Sequence, residues 1–115
     1  MDRLDALSAV VSQNNDHAIG PQQEVSRYQI LPVFWQQAKI VWHPDNPFLA
    51  RQVVTRIMEA RCRAFEEKYQ RAPDDFQYYI LWHRPACYIG RAKARPLTSA
   101  EIARGRRFAS LCLSD

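Results

Sequence analysis

A chain of 115 residues with 47% hydrophobic and 24% charged residues has the composition of one ordinary folded domain spanning residues 1–115, which excludes both a multidomain and a disordered reading. Sixteen Lys plus Arg against twelve Asp plus Glu give a net charge of +4, an excess that by itself names no partner. Charged or polar residues break every apolar run well short of the roughly 20 residues needed to cross a bilayer, so no membrane insertion is expected.

In chain order, Leu4, Leu7, Val10 and Val11 recur at helical spacing behind Asp2, which predicts a short capped helix from about Arg3 to Ser12. The opening Met1-Asp2-Arg3-Leu4-Asp5 and the polar Ser12–Asn15 run lack the basic and apolar regions of a secretory signal. The residues alone therefore suggest a cytoplasmic chain or an excerpt of a longer one. Gln13–Gln23, punctuated by Gly20-Pro21, reads as an ordered loop or a linker. Pro32 opens a short helix to about Ile40.

Asn46-Pro47 then supplies a cap with Pro at the first helical position and opens the clearest helix. Its apolar stripe is Val54, Met58, Cys62, Phe65 and Tyr69, the spacing of one buried face. Pro73-Asp74-Asp75 caps a helix through Tyr79, Ile80 and Trp82 that stops near Arg84-Pro85, because the residue before Pro is pushed out of the α region. Thr98 and Glu101 form a capping box for a last helix, which Ile102, Gly105, Phe108 or Ala109, and Cys112 continue. Nothing alternates long enough to make a strand. The expected fold class is mainly α, with about five helices and little or no sheet.

Cys62, Cys87 and Cys112 are odd in number and lack any C-x-x-C spacing, which points to reduced, buried thiols rather than disulfides or zinc. His17 and His43 fall in turn-rich segments without metal-ligand spacing. With only Gly20, Gly90 and Gly105 there is no glycine-rich phosphate loop, and no cofactor or metal is expected. Ser12 lacks a nucleophile elbow and an orienting acid. From Arg84 to Arg107 stand seven basic residues (Arg84, Arg91, Lys93, Arg95, Arg104, Arg106, Arg107) and one acid, Glu101. That stretch is either a solvated basic face or a surface for nucleic acid, cell-wall glycan with its peptide carboxylates, or an acidic protein.

The order Ser12, Asn15, Ala18-Ile19-Gly20, Glu24, Tyr28-Gln29-Ile30-Leu31-Pro32 resembles the soluble lytic transglycosylase and goose-type lysozyme superfamily. Its signature is a Glu-Ser pair ending the first helix, then Ala-Val-Ser, then Gly-Leu-Met-Gln-Ile-x-Pro. Ala18-Ile19-Gly20 stands where the family has Ala-Val-Ser, and Tyr28-Gln29-Ile30-Leu31-Pro32 where it has Met-Gln-Ile-x-Pro. Glu24-Val25-Ser26-Arg27-Tyr28-Gln29-Ile30, Leu81-Trp82-His83-Arg84-Pro85-Ala86 and the late Arg106-Arg107-Phe108-Ala109-Ser110-Leu111 are similar to a small bacterial subgroup of lysozyme-like chains. The resemblance runs from Leu4 to Leu111. It implies a lysozyme-like helical domain whose partner is the β-1,4-linked glycan of peptidoglycan, in the cell envelope.

The departure is at Val11, where the family places its catalytic Glu immediately before the Ser of the pair. Glycoside cleavage needs a carboxylic acid to protonate the leaving oxygen, and valine has no proton to give. The resemblance implies that the same Glu also serves as base, so its loss removes both roles and the expectation is an impaired relative. Glu24 is the first candidate for a substitute acid; its plainer role is a structural carboxylate paired with Arg27 or Arg84, or accepting backbone N–H bonds. Asp16 is the second candidate, with an Asx-turn as its plainer role. Ser12, Tyr28, Gln29, Trp82 and His83 are the expected substrate contacts. For Gln29 a loop hydrogen bond competes with sugar binding, for Trp82 core packing competes with stacking, and for His83 a hydrogen bond is expected rather than titration. The alternative is a small basic interaction protein using its C-terminal Arg/Lys cluster.

Overall fold

The computed structural model describes residues 1–114. Its fold is mainly α, with six helices among the described residues: α1 (Arg3–Ser12), α2 (Pro32–Ala38), α3 (Pro47–Tyr69), α4 (Asp75–His83), α5 (Ala86–Ile89) and α6 (Ser99–Leu113). The sixth, α5, is the one the apolar pattern does not announce, since four residues are too few to show a period. Isolated bridges Ile19–Val25 and Val25–Ile30 are the only β pairing among the described residues. The chain forms two compact units, Met1–Ala6 with Met58–Asp115, and Leu7–Ile57.

Local chemistry sets the helix ends. Asp2 Oδ1 accepts the Asp5 N–H at 2.8 Å, and Asn46 Oδ1 accepts the Leu49 N–H at 3.1 Å, each satisfying a donor that a helix start leaves open. The Asp74 carboxylate accepts from Gln77 N–H while the Gln77 side chain accepts from Asp74 N–H. Thr98 and Glu101 repeat that reciprocal pattern at α6. α1 ends with Gln13 and Asn14 at positive φ, and α2 with Lys39 left-handed, its N–H on the Gln36 carbonyl. These stops use non-glycine residues in a conformation that costs each of them about 1 kcal/mol.

In the unit Leu7–Ile57 the buried apolar side chains are Leu7, Tyr28, Ile30, Trp35, Ala38, Ala50, Val53 and Val54. Trp35 donates its ring N–H to the carbonyls of Ile40 and Val41 at 3.0 and 3.1 Å and meets Trp42 edge-on at 5.4 Å. The Arg56 guanidinium donates to the Ala38 carbonyl, filling an open acceptor at the end of α2.

In the other unit α4 packs on α6, with Tyr78 stacked on Phe108 at 5.8 Å. Gly105 permits the approach, because a Cβ there would lie 2.6 Å from the Phe76 ring. Arg3 donates to Asp75 at 2.8 Å and to the Pro73 carbonyl. Arg61 donates to the Leu81 and Trp82 carbonyls at 2.8 and 3.0 Å, where the end of α4 leaves acceptors open. Burial lowers its pKa to about 10, still charged at neutral pH.

The long stripe of α3 is only partly interior. Val54, Met58 and Phe65 are buried and Cys62 is half-buried, while Tyr69 is exposed, its ring set against Phe65 and Tyr88 at the surface. The three cysteines are free and half-buried rather than interior. Burial pushes the Cys62 and Cys112 thiols up from their ordinary values, which disfavours thiolate chemistry. No helix among the described residues is long and apolar enough to cross a membrane.

Candidate functional site

The segment expected as a loop or linker is a closely hydrogen-bonded loop within the unit Leu7–Ile57. Gly20 N–H donates to the Glu24 carbonyl at 2.8 Å, Gln23 N–H donates back to the Gly20 carbonyl, and Val25 and Ile30 exchange both backbone bonds at 2.9 and 2.8 Å. Gln23, Ser26 and Gln29 adopt φ of 68°, 74° and 56°, three left-handed turns in seven residues with no glycine among them. Such conformations persist where surrounding bonds over-determine them. Here the buried Ser26 hydroxyl accepts the Tyr28 N–H at 3.1 Å, and Gln29 N–H donates to the Ser26 carbonyl.

Ser12 fastens this loop to the end of α1. Its Oγ donates to the Arg27 carbonyl at 2.6 Å and accepts the Asn15 N–H at 3.2 Å. Arg27 in turn grips Asp16 through two hydrogen bonds of 2.6 and 3.0 Å. Those bonds hold the Asp16 carboxyl below its usual range despite some opposing desolvation. Asp16 is therefore an ion-pair partner and not merely a turn residue, and of the two structural roles open to Glu24 the pairing with Arg27 or Arg84 is not formed, Arg27 being taken by Asp16 and Arg84 by Glu101, while the backbone N–H bond is.

Glu24 is half-buried and accepts the Gln22 N–H on Oε1 at 2.6 Å. Gln29 Nε2 donates to the carbonyls of Ser26 and Ala18 at 2.9 and 3.2 Å, leaving its Oε1 as the free acceptor. Both side chains converge on Gly20: a Cβ there would lie 2.7 Å from Glu24 Oε1 and 2.7 Å from Gln29 Oε1. Glycine leaves room for the tips of these two side chains, which a Cβ would displace, and is not required by its φ, which is not positive. Val11, on the last turn of α1, is half-buried. Tyr28 is a correction: at 2% exposure it is a core ring and offers no face for stacking a sugar.

Trp82 and His83 belong to the other unit, at the end of α4. Trp82 is half-buried, with the Arg61 guanidinium 5.5 Å from its ring. His83 lies along Tyr79, 5.8 Å between rings, and its Nε2 meets Glu101 Oε2 at 2.7 Å. Glu101 is only 3% exposed, and Arg95 and Arg84 reach its Oε1 at 3.0 and 3.4 Å. The Thr98 N–H bond first, then Arg95 and His83, hold its carboxyl well below the usual range, outweighing desolvation. The capping box was legible in the sequence; the convergence of two arginines and a histidine on the same buried acid was not, because those partners lie 6 to 18 residues away. Arg104 bonds the Tyr79 hydroxyl at 3.1 Å, and His17 and His43 are exposed. No group of three or more His, Cys, Asp or Glu among the described residues is placed to hold a metal ion.

Comparison with protein-family models, with curated proteins and with solved structures finds no match to this chain.

Proposed function

We propose that this chain is a lysozyme-like domain, related to lytic transglycosylases, that binds the β-1,4-linked glycan of peptidoglycan with its cleaving chemistry impaired. The observation that supports the reading is the convergence of Glu24 and Gln29 on Gly20 in the loop that Ser12 ties to α1, the same stretch whose residue order resembles the family. Gln29 Oε1 is an acceptor for sugar hydroxyl or amide N–H groups, and Glu24 Oε2 holds no hydrogen bond among the described residues. Ser12 acts by positioning, since its hydroxyl is spent on backbone groups.

Protonation of a glycosidic oxygen requires a carboxylic acid within hydrogen-bond reach of it. Position 11 supplies an isopropyl group. With Glu24 Oε1 engaged by Gln22 N–H, any donor role of Glu24 falls to Oε2 alone. General acid–base catalysis contributes about 10²–10⁴-fold, so the chain as it stands is expected to bind sacculi and release little soluble product. Val11→Glu is expected to raise muropeptide release by about a hundredfold or more, read by chromatography of digested sacculi. A well-folded Val11→Glu protein that sediments with sacculi yet releases nothing would remove the enzyme ancestry of this position; failure of the parent to sediment would remove the glycan reading itself. Robust release by the parent that Glu24→Gln abolishes would assign the acid role to Glu24.

A further inference from the structure

The basic stretch is divided by the fold into spent and open charges. Arg84 and Arg95 are paired with Glu101, and Arg104 with the Tyr79 hydroxyl. Arg91 and Lys93 hold no hydrogen bond or ion pair among the described residues and are exposed. Both line an open cleft of about 500 Å³, together with Lys68, Tyr88, Arg95 and Leu97, and no acidic residue borders it.

The backbone of this cleft is open as well. Apart from Pro96, which has no N–H, none of the backbone N–H groups from Arg91 to Leu97 donates a hydrogen bond among the described residues, and in this mostly exposed segment they face solvent. The segment is nonetheless held at one end, where Arg84 donates to the Arg95 carbonyl at 2.9 Å and to the Pro96 carbonyl at 3.4 Å. Lys68 is steadied by the Tyr88 carbonyl at 2.6 Å, which uses one of its three N–H donors. An anchored, donor-rich strip beside unpaired cations suits a chain that brings both carbonyls and negative charge.

Nucleic acid fits less well. Single strands are held by bases stacked on aromatic faces, and the ring in this cleft, Tyr88, is engaged in T-shaped packing with Phe65 at 5.5 Å and Tyr69 at 6.3 Å. The remaining lining is small and aliphatic, with Ala86, Ala92, Ala94 and Leu97, a surface for side-chain methylenes. We propose that the Lys68–Leu97 cleft binds an extended acidic peptide segment, its carboxylates paired with Arg91 and Lys93 and its carbonyls accepting from the backbone between them.

The inference uses none of the residues in the Val11–Ile30 loop, so it stands or falls separately from the glycan reading. The test is fluorescence anisotropy with the full chain and three labelled probes: an alternating Glu-Ala peptide, its Gln-Ala counterpart, and a single-stranded oligonucleotide of equal charge. The acidic peptide should bind about tenfold or more tightly than the Gln-Ala peptide, and the double variant Arg91→Ala/Lys93→Ala should weaken it about tenfold, more at low salt than at high. The control Arg106→Ala/Arg107→Ala removes two exposed charges of α6 and should change affinity by less than about twofold. Tighter binding of the oligonucleotide, equal loss in both double variants, or no binding of the acidic peptide would overturn the assignment.

Discussion

Glu24 and Glu101 are carboxylates of the same kind held in opposite surroundings. Glu101 sits on the first turn of α6 and is surrounded by Thr98 N–H, His83, Arg84 and Arg95, so its lone pairs are consumed within the protein. Glu24 sits in a loop, half-buried, with the Gln22 N–H on one oxygen. An acid so thoroughly paired holds structure together, whereas one with an oxygen to spare is available to a ligand. Density of charged neighbours thus does not by itself mark an acid open to a ligand; the informative quantity is how many acceptor positions remain unused.

The largest effect that would break this contrast is at Glu101. Glu101→Ala leaves His83, Arg84 and Arg95 facing one another without their acid and removes half of a capping box, and it should destabilise the fold by about 3 kcal/mol in urea unfolding at pH 7. A loss below about 1 kcal/mol would show the cluster to be ornamental. Because the folded carboxyl is held below its unfolded value of 4.5, its contribution is complete above that value and is lost as pH falls below it. Glu101→Gln should accordingly flatten the decline in stability between about pH 5 and pH 3.

A smaller effect sharpens the other side. Gly20→Ala places a Cβ 2.7 Å from the oxygens of Glu24 and Gln29 and forces both to move, at a cost of about 1 kcal/mol. Sacculus sedimentation should fall about tenfold, far more than that small loss of stability would cause in a protein that stays folded. Unchanged sedimentation would detach the loop from glycan binding.

The smallest effect is at Asp16. Its pair with Arg27 is partly exposed, with about a quarter of each side chain open to solvent, so Asp16→Asn should cost less than about 1 kcal/mol. Its carboxyl, held below 3.8 by the Arg27 hydrogen bonds, contributes above that pH and ceases to as pH falls further. Urea midpoints at pH 7 and pH 3 should therefore differ less for Asp16→Asn than for the parent.

Helices that carry caps and an apolar period were legible from the residues alone. Asp2, Asn46, Asp74 and Thr98 mark starts where they are found, because capping is a contact between residues two or three apart, and Pro32 and Pro47 open their helices for an equally local reason. The residue order also placed Val11 at the end of the first helix and Glu24, Gln29 in one loop. Tertiary structure alone decided that Tyr28 is interior, that Arg27 chooses Asp16 over Glu24, that Gly20 serves a close approach, that Glu101 gathers two arginines and a histidine, and that Arg91 and Lys93 are left open beside an unpaired backbone. Each of these depends on which side chains compete for the same donor or the same space, and that competition is settled only when distant stretches of chain are packed together.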